Sequence, residues 1–479
     1  MQWSKRIVPR QILGWWRDLQ ISRNHEQANR QRRQIVERLI EETGITQLRR
    51  DDIRHILFVV VDCLRRDHVS CYGYTRETTP FVDSLAKQGC LFREAISPSC
   101  WTYPSVLSIL SGLYPHNHGG VFVEDPRALS TSMFPRKVRE NMVFLPEILN
   151  YFGFATYFSS TIITAELALF SRFQHVKFSE HRRKNAKYIL RHYLDWLHAH
   201  QKMRTFSYLQ LGDLHSKIRV KNPYRSAFGV IPKIPKLERF DYYQEDVMPG
   251  DPVFERYREN RIKLYDAALF YVDEQIRECF RRLEKLKLMD KMMVVITSDH
   301  GEELWDHMQV EKEYFFHPDS MYGVEHGHHL WQEIVGVPLF LLGPGISAHE
   351  IYRRVSLIDL MPTVLKSCGI EGLEALHLDG QDLFDTTDNR IILAEEVAAG
   401  YEKKAVFEGK HKLYYSQGDG VRWIFDLEND PHEESPLDLP EVADRLVGFI
   451  PERGSKKDEE KISINEEMKK KLRDLGYIE

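Results

Sequence analysis

Two apolar runs, residues 55–62 and 292–299, limit the fold more than any other feature of this 479-residue chain. Each is too short for a long helix, rich in β-branched residues and apolar at consecutive positions. That is how a strand covered on both faces of a parallel sheet reads. Each run ends in an aspartate, Asp62 and Asp299, and the second continues into His300. Ligands of open α/β sheets bind beyond the carboxyl ends of the strands. Asp62, Asp299 and His300 are therefore expected at one sheet edge, where two carboxylates and an imidazole can hold a divalent cation. The expected fold class is α/β, a doubly wound, mostly parallel central sheet flanked by helices, over residues 51–388. Short strand-like segments at 404–408 and 412–415, with a charged helix over 464–475, predict a smaller C-terminal α+β domain over 389–479.

Between the two runs lies Ser99-Cys100-Trp101-Thr102-Tyr103-Pro104-Ser105, which reads as a nucleophile at a helix entrance. Pro104 suits a first turn, where its missing N–H costs nothing. Residues 106–111 keep helical spacing, and Gly112 is a natural left-handed stop. Thr102 is then expected beside the free N–H groups of a helix start, which favour an anionic oxygen. Its hydroxyl is expected to join the ligands of the cation, and metal and field together can activate a weak alcohol. Taken alone, a threonine ahead of a proline would simply cap a helix.

These residues stand in a longer order of motifs. Val61-Asp62 is followed by Trp101-Thr102-Tyr103-Pro104-Ser105, Ser111-Gly112-Leu113-Tyr114-Pro115-His116, Gly212-Asp213-Leu214-His215, Ser298-Asp299-His300-Gly301-Glu302 and Glu325-His326-Gly327. Gly336-Val337-Pro338-Leu339, Asp359-Leu360-Met361-Pro362-Thr363 and Leu378-Asp379-Gly380 complete it. In this order the chain resembles the sulfatase family of the alkaline phosphatase superfamily, over about residues 54–435. The resemblance implies hydrolysis of a small-molecule ester, with Asp62, Thr102, Asp299 and His300 on a divalent metal ion.

Two departures from the family pattern bear on the substrate. Usual sulfatases carry Cys-x-Pro-x-Arg, whose cysteine becomes formylglycine; here Thr102 takes the cysteine position and Val106 the arginine position. Cys100 lies two residues too early, is followed at the proline position by Thr102, and reads as an ordinary buried thiol. No formylglycine is expected. The aldehyde hydrate of formylglycine expels sulfate by elimination, which a threonine ester cannot do. The resemblance to relatives with threonine here, mostly phosphodiesterases and phosphotransferases, shifts the expectation from sulfate toward phosphate or phosphonate esters. Sulfuric ester hydrolysis, transfer to another acceptor and a non-catalytic metal-binding homologue remain the alternatives.

His215 matches the family's Asp-Pro-His, whose implied role is oxyanion binding or protonation of the leaving group. His326 matches a substrate-facing position, and His307, in Trp305-Asp306-His307, is a further substrate-binding candidate. Imidazoles suit both tasks because they titrate near neutrality. Arg65 matches an arginine common in this branch; it is expected either to supply the positive charge that Val106 cannot offer a substrate or to form a structural salt bridge. The ligand types do not choose between calcium, manganese, magnesium and zinc, and they leave a second ion open, with Asp213, His215 and His326 as its ligands. Residues 217–251, rich in proline and charge, are expected as an extended loop near the site, and an insertion over 308–324 at the pocket mouth.

A net charge of −5 carries no nucleic-acid signature. The six cysteines form no C-x-x-C pair, and no glycosylation sequon, signal-peptide core or membrane-length apolar run is present, so a cytoplasmic location is expected. Residues 1–50 form a basic helical extension; over residues 1–38 nine basic side chains face three acidic ones, accompanied by Trp3, Trp15 and Trp16. Contact with an anionic membrane surface is one reading. The favoured one is an arm packed on its own domain or, in a homo-oligomer, on a second copy, with Ile35, Leu39 and Ile40 on one face.

Overall fold

The computed structural model describes residues 10–48, 52–120, 127, 138–139, 142–177, 185–230, 250–385, 387 and 390–451, and side chains from residue 25 onward. The charged helix expected over 464–475 lies outside the described residues, as do 231–249 of the expected loop.

Eight strands form the central sheet: β1 (His55–Val61), β2 (Cys90–Ile96), β3 (Phe154–Ser160), β4 (His175–Lys177), β5 (Arg204–Leu211), β6 (Met292–Thr297), β7 (Gly336–Leu342) and β8 (His349–Ser356). Their order is β8-β2-β7-β6-β1-β5-β3-β4. All pairings are parallel except the two made by β7, which runs against β2 and β6. The fold is thus α/β with a mostly parallel sheet. The two apolar runs are the neighbouring strands β1 and β6, paired residue by residue from His55 with Met292 to Val60 with Thr297.

Both faces of β1 are buried because its apolar residues have no polar alternation. Ile56, Phe58 and Val60 enter one core, Leu57, Val59 and Val61 the other. The first core packs under helix α1 (Arg10–Thr43) and α2 (Thr102–Ser111), the second under α3 (Ala186–His200) and α4 (Pro252–Lys285). Each such fully buried side chain contributes about 1.5–3 kcal/mol, so the strand ends stand on a frame that needs no ligand. α4 begins where Pro252 opens the first turn and the Asp251 carboxylate accepts the N–H groups of Val253 and Phe254.

The basic arm α1 packs on its own domain. Val36 and Ile40 are buried in the first core with Ile35 and Leu39 against it, and Arg32 pairs with Glu147 at 2.7 Å. Among the described residues no helix is long and apolar enough to cross a membrane. Within 217–230 the chain makes a short turn, Tyr224–Ser226, with the Tyr224 ring 5.1 Å from that of Tyr271 on α4.

The insertion is partly buried. Met308–Tyr314 form helix α5, Glu311 is fully buried, and Phe315 packs among Trp331, Tyr414 and Trp423. Met308 packs on the second core and Phe315 on the first, while Tyr314 and Phe316 are exposed. Downstream, β9 (Ile392–Glu395), β10 (Lys404–Glu408), β11 (His411–Ser416) and β12 (Val421–Asp426) form an antiparallel sheet. One face carries Phe407, Tyr414 and Phe425 into the first core; the other is covered by α6 (Pro440–Val447).

Candidate active site

Asp62 follows β1 directly and Asp299 lies two residues beyond β6, so parallel pairing of the strands delivers both carboxylates to one edge. Thr102 is the first residue of α2. Trp101 is the extended residue before it, and Gly112 ends the helix in the left-handed conformation. The Thr102 hydroxyl lies 3.3 Å from Asp62 Oδ2 and 3.2 Å from His300 Nε2. His300 Nδ1 donates to the Gly301 carbonyl at 2.9 Å, which leaves Nε2 facing the hydroxyl. Gly301 is required here: a Cβ would sit 1.9 Å from the Glu333 carbonyl oxygen.

Gln210 Nε2 donates to Asp62 Oδ2 at 2.9 Å and to Asp299 Oδ2 at 2.8 Å, while Tyr208 donates to Gln210 Oε1 at 3.0 Å. The other oxygen of Asp299, Oδ1, is buried without a hydrogen-bond partner. A lone pair buried in this way beside a second carboxylate, a hydroxyl and an imidazole fits a divalent cation. Asp62, Thr102, Asp299 and His300 are the residues that could hold it.

Cys63 continues the strand end in a left-handed backbone conformation (φ 61°). Its thiol donates to Asp62 Oδ1 at 3.0 Å and lies 3.6 Å from His326 Nδ1. His326 Nδ1 is also 3.0 Å from Glu302 Oε1. The His326 ring sits 4.3 Å from that of His300 and 5.1 Å from that of His215. Cys63, His215 and His326 thus form a second group of convergent donors next to the first.

The electrostatics are those of a water-poor site. Burial pushes Asp299 well above the usual carboxylate range, and Asp62 adds to it. Burial acts on Asp62 too, but His300, His215 and His326 bring it below its ordinary value. Burial holds His300 and His326 down to about 4, helped by His326 in the first case and His215 in the second. For His215 burial is outweighed by Asp62 and Glu302, and it is raised. Burial pushes Glu302 up to about 7 against the pull of His215.

Thr102, Asp62, Asp299, His300, His215 and His326 are therefore brought together. Arg65 and His307 are engaged elsewhere. The Arg65 guanidinium binds Asp67 and Asp306, both at 2.7 Å, and points toward the Glu302 carbonyl; its salt-bridge alternative is the arrangement seen. His307 stacks on Trp331 and pairs with Glu333 at 2.6 Å. Asp213 accepts the Ala186 N–H at the start of α3 at 2.8 Å and is not one of the donors that converge with His215 and His326. Cys100 is buried with its thiol toward the Glu396 carbonyl, and burial raises it. Cys63, Gln210 and Glu302 are the site residues that sequence reasoning passed over. Cys63 and Glu302 are adjacent or nearly adjacent to recognised ligands, which was the available signal; Gln210 sits inside an apolar strand and gave none.

Residues 54–370 match the family described as Sulfatase. Arylsulfatase K of Rattus norvegicus is 35% identical over 212 residues, covering 39% of this chain and 35% of that protein. Choline-sulfatase of Rhizobium meliloti is 29% identical over 214 residues, covering 43% and 37%. The aligned stretches thus span little more than a third of these curated relatives. The phosphonate monoester hydrolase of Agrobacterium radiobacter shares the fold, with a TM-score of 0.60 and 15% identity over 88% of this chain and 96% of that one. The chain belongs to the sulfatase family.

Proposed function

We propose that this chain hydrolyses phosphate or phosphonate esters of small molecules through a covalent intermediate on Thr102. The observation that carries the reading is the identity of the group at the helix entrance. The oxygen facing Asp62 and His300 belongs to a threonine, and the nearby thiol of Cys100 is turned to the Glu396 carbonyl. Asp62, Thr102, Asp299 and His300 would hold a divalent cation, which when bound supplies positive charge to the reacting oxygens and favours the ionised nucleophile.

Thr102 Oγ1 attacks phosphorus in line, and its proton passes to Asp62 Oδ2. As the new O–P bond forms, the bond to the leaving group breaks, and His215, the imidazole raised by Asp62 and Glu302, gives the departing oxygen a proton, with His326 beside it. Water then attacks phosphorus and returns a proton to that imidazole, while the Thr102 oxygen departs and recovers its own. The carbon bearing the Thr102 ester has no second hydroxyl from which sulfate could be eliminated, so water must open the intermediate. That requirement favours phosphorus over sulfur. Hydrolysis of sulfate esters is the second reading, supported by the likeness to arylsulfatase K and choline-sulfatase.

The test is a panel with one leaving group. An activated phosphodiester and a phosphonate monoester should each give a higher kcat/KM than the matching aryl sulfate. A sulfate preference maintained across calcium, magnesium, manganese and zinc would overturn the proposal.

A further inference from the structure

We propose that Glu303, Glu311 and His328 form a second metal site, separate from the Thr102 centre, that takes one divalent transition ion of the zinc type. Glu303 lies three residues beyond His300 and is 0% exposed; no N–H or hydroxyl reaches its carboxylate oxygens, and the one group it is bonded to is another buried carboxylate, Glu311. His328 Nε2 is equally buried and unpartnered, 3.8 Å from Glu303 Oε2. The His326 backbone engages the same imidazole, which leaves Nε2 as the nitrogen that faces Glu303. A lone pair is thus directed at a carboxylate, an arrangement that needs a cation or a proton between them.

Glu311, on α5, completes the group; one ligand atom from each of the three residues lies within 4.8 Å of the others. It is held as an acceptor, since Trp331 Nε1 donates to one oxygen at 2.8 Å and the Gly323 N–H to the other at 2.6 Å. Those bonds orient the carboxylate and leave each oxygen a further lone pair, as the surroundings of a metal ligand do.

The neighbouring charges decide which residues belong to the site. Glu303, His307 and Glu333 also converge, but His307 has both nitrogens committed, Nδ1 to Glu333 at 2.6 Å and Nε2 to the His432 carbonyl at 2.9 Å. A ring that donates at both nitrogens is an imidazolium and cannot ligate. His307 therefore balances Glu333, and Lys412 balances Glu433 at 2.5 Å. Glu303 and Glu311, bonded to each other, are left with two imidazoles, His328 Nε2 at 3.8 Å from Glu303 and His329 Nε2 at 3.3 Å from Glu311, the donor types of a borderline divalent ion and too few oxygens for calcium. Such an ion would tie the segment carrying His300 to the one carrying His326, whose rings meet 4.3 Å apart.

The experiment uses the full chain with Asp62→Asn and Asp299→Asn, which weakens the Thr102 centre independently of this cluster. After chelation, reloading with zinc chloride and desalting, elemental mass spectrometry should find about one zinc per chain beyond any held by Cys63, His215 and His326, which every variant compared retains. Adding Glu303→Gln should remove it, and His328→Gln serves the same purpose if the first variant does not fold. Zinc should also raise the melting temperature of the double variant and leave that of the variants lacking Glu303 or His328 unchanged. No zinc in the double variant would overturn the proposal. Equal zinc with and without Glu303→Gln would do so as well; with an undiminished melting temperature it would show that Glu303 and Glu311 merely share a proton.

Discussion

Asp62 and Asp299 share one amide nitrogen: Gln210 Nε2 donates a hydrogen to each, at 2.9 and 2.8 Å. One oxygen of each carboxylate is thereby held by β5; Asp62 Oδ2 faces the Thr102 hydroxyl as well, Asp62 Oδ1 accepts from the Cys63 thiol, and Asp299 Oδ1 is left without a partner. Gln210→Leu should keep the fold and raise the metal concentration needed for half-maximal activity by about 10–100-fold. A metal titration of activity reads this, and an unchanged midpoint would show that the strands alone set the carboxylates.

The covalent group is expected on Thr102. Thr102→Ala should lower turnover by at least about 10³-fold, whereas Cys100→Ser should keep most of it. Peptide mass spectrometry should find Cys100 unmodified in the resting protein. Formylglycine at Cys100 would reverse both the register and the substrate argument.

Removal of metal should abolish activity without unfolding the central sheet. β1 and β6 are buried on both faces, and that burial outweighs what an ion at their ends contributes. Chelation should leave the far-ultraviolet circular dichroism intact while the ester assay falls to background. Parallel loss of both signals would make the Thr102-side ion part of the fold.

Acid stability should depend on Glu395. This buried carboxylate accepts from Lys404 at 2.7 Å and lies 2.6 Å from His116 Nδ1. Burial would raise it, but Lys404 and His116 hold it well below its ordinary value of 4.5. A group depressed in the folded state stabilises fully above its unfolded value, and the contribution is lost as pH falls from about 4.5 toward the folded value. Glu395→Gln should destabilise by about 3 kcal/mol or more at pH 7, because it removes a partner of buried Lys404. Melting curves from pH 7 to 3 should bring the wild type down toward the variant; parallel curves would exclude Glu395 as the titrating group.

The strands and the nucleophile helix were legible because their signals are local. Continuous β-branched runs, an aspartate at each end, Pro104 in the first turn and Gly112 at the stop are all read within a few residues. His215 and His326 were recoverable only through the order of motifs, since an isolated histidine after a strand has no distinguishing local pattern. Within the insertion over 308–324 the burial of Phe315 and Glu311 could not be read locally, because it comes from Trp331 and Tyr414, which the fold brings against them.

By itself the sequence determined the mixed α/β character, the residues that end the key strands, and a threonine in place of a cysteine. Tertiary structure alone decided the strand order that sets β5 beside β1 and hence Gln210 between two aspartates, and the partners of Arg65 and His307. The physical reason is that apolar burial dictates which faces must be covered but not by which neighbour. A charged side chain takes its role from whichever carboxylate the packed backbone delivers, and for Arg65 that was Asp306, 241 residues away.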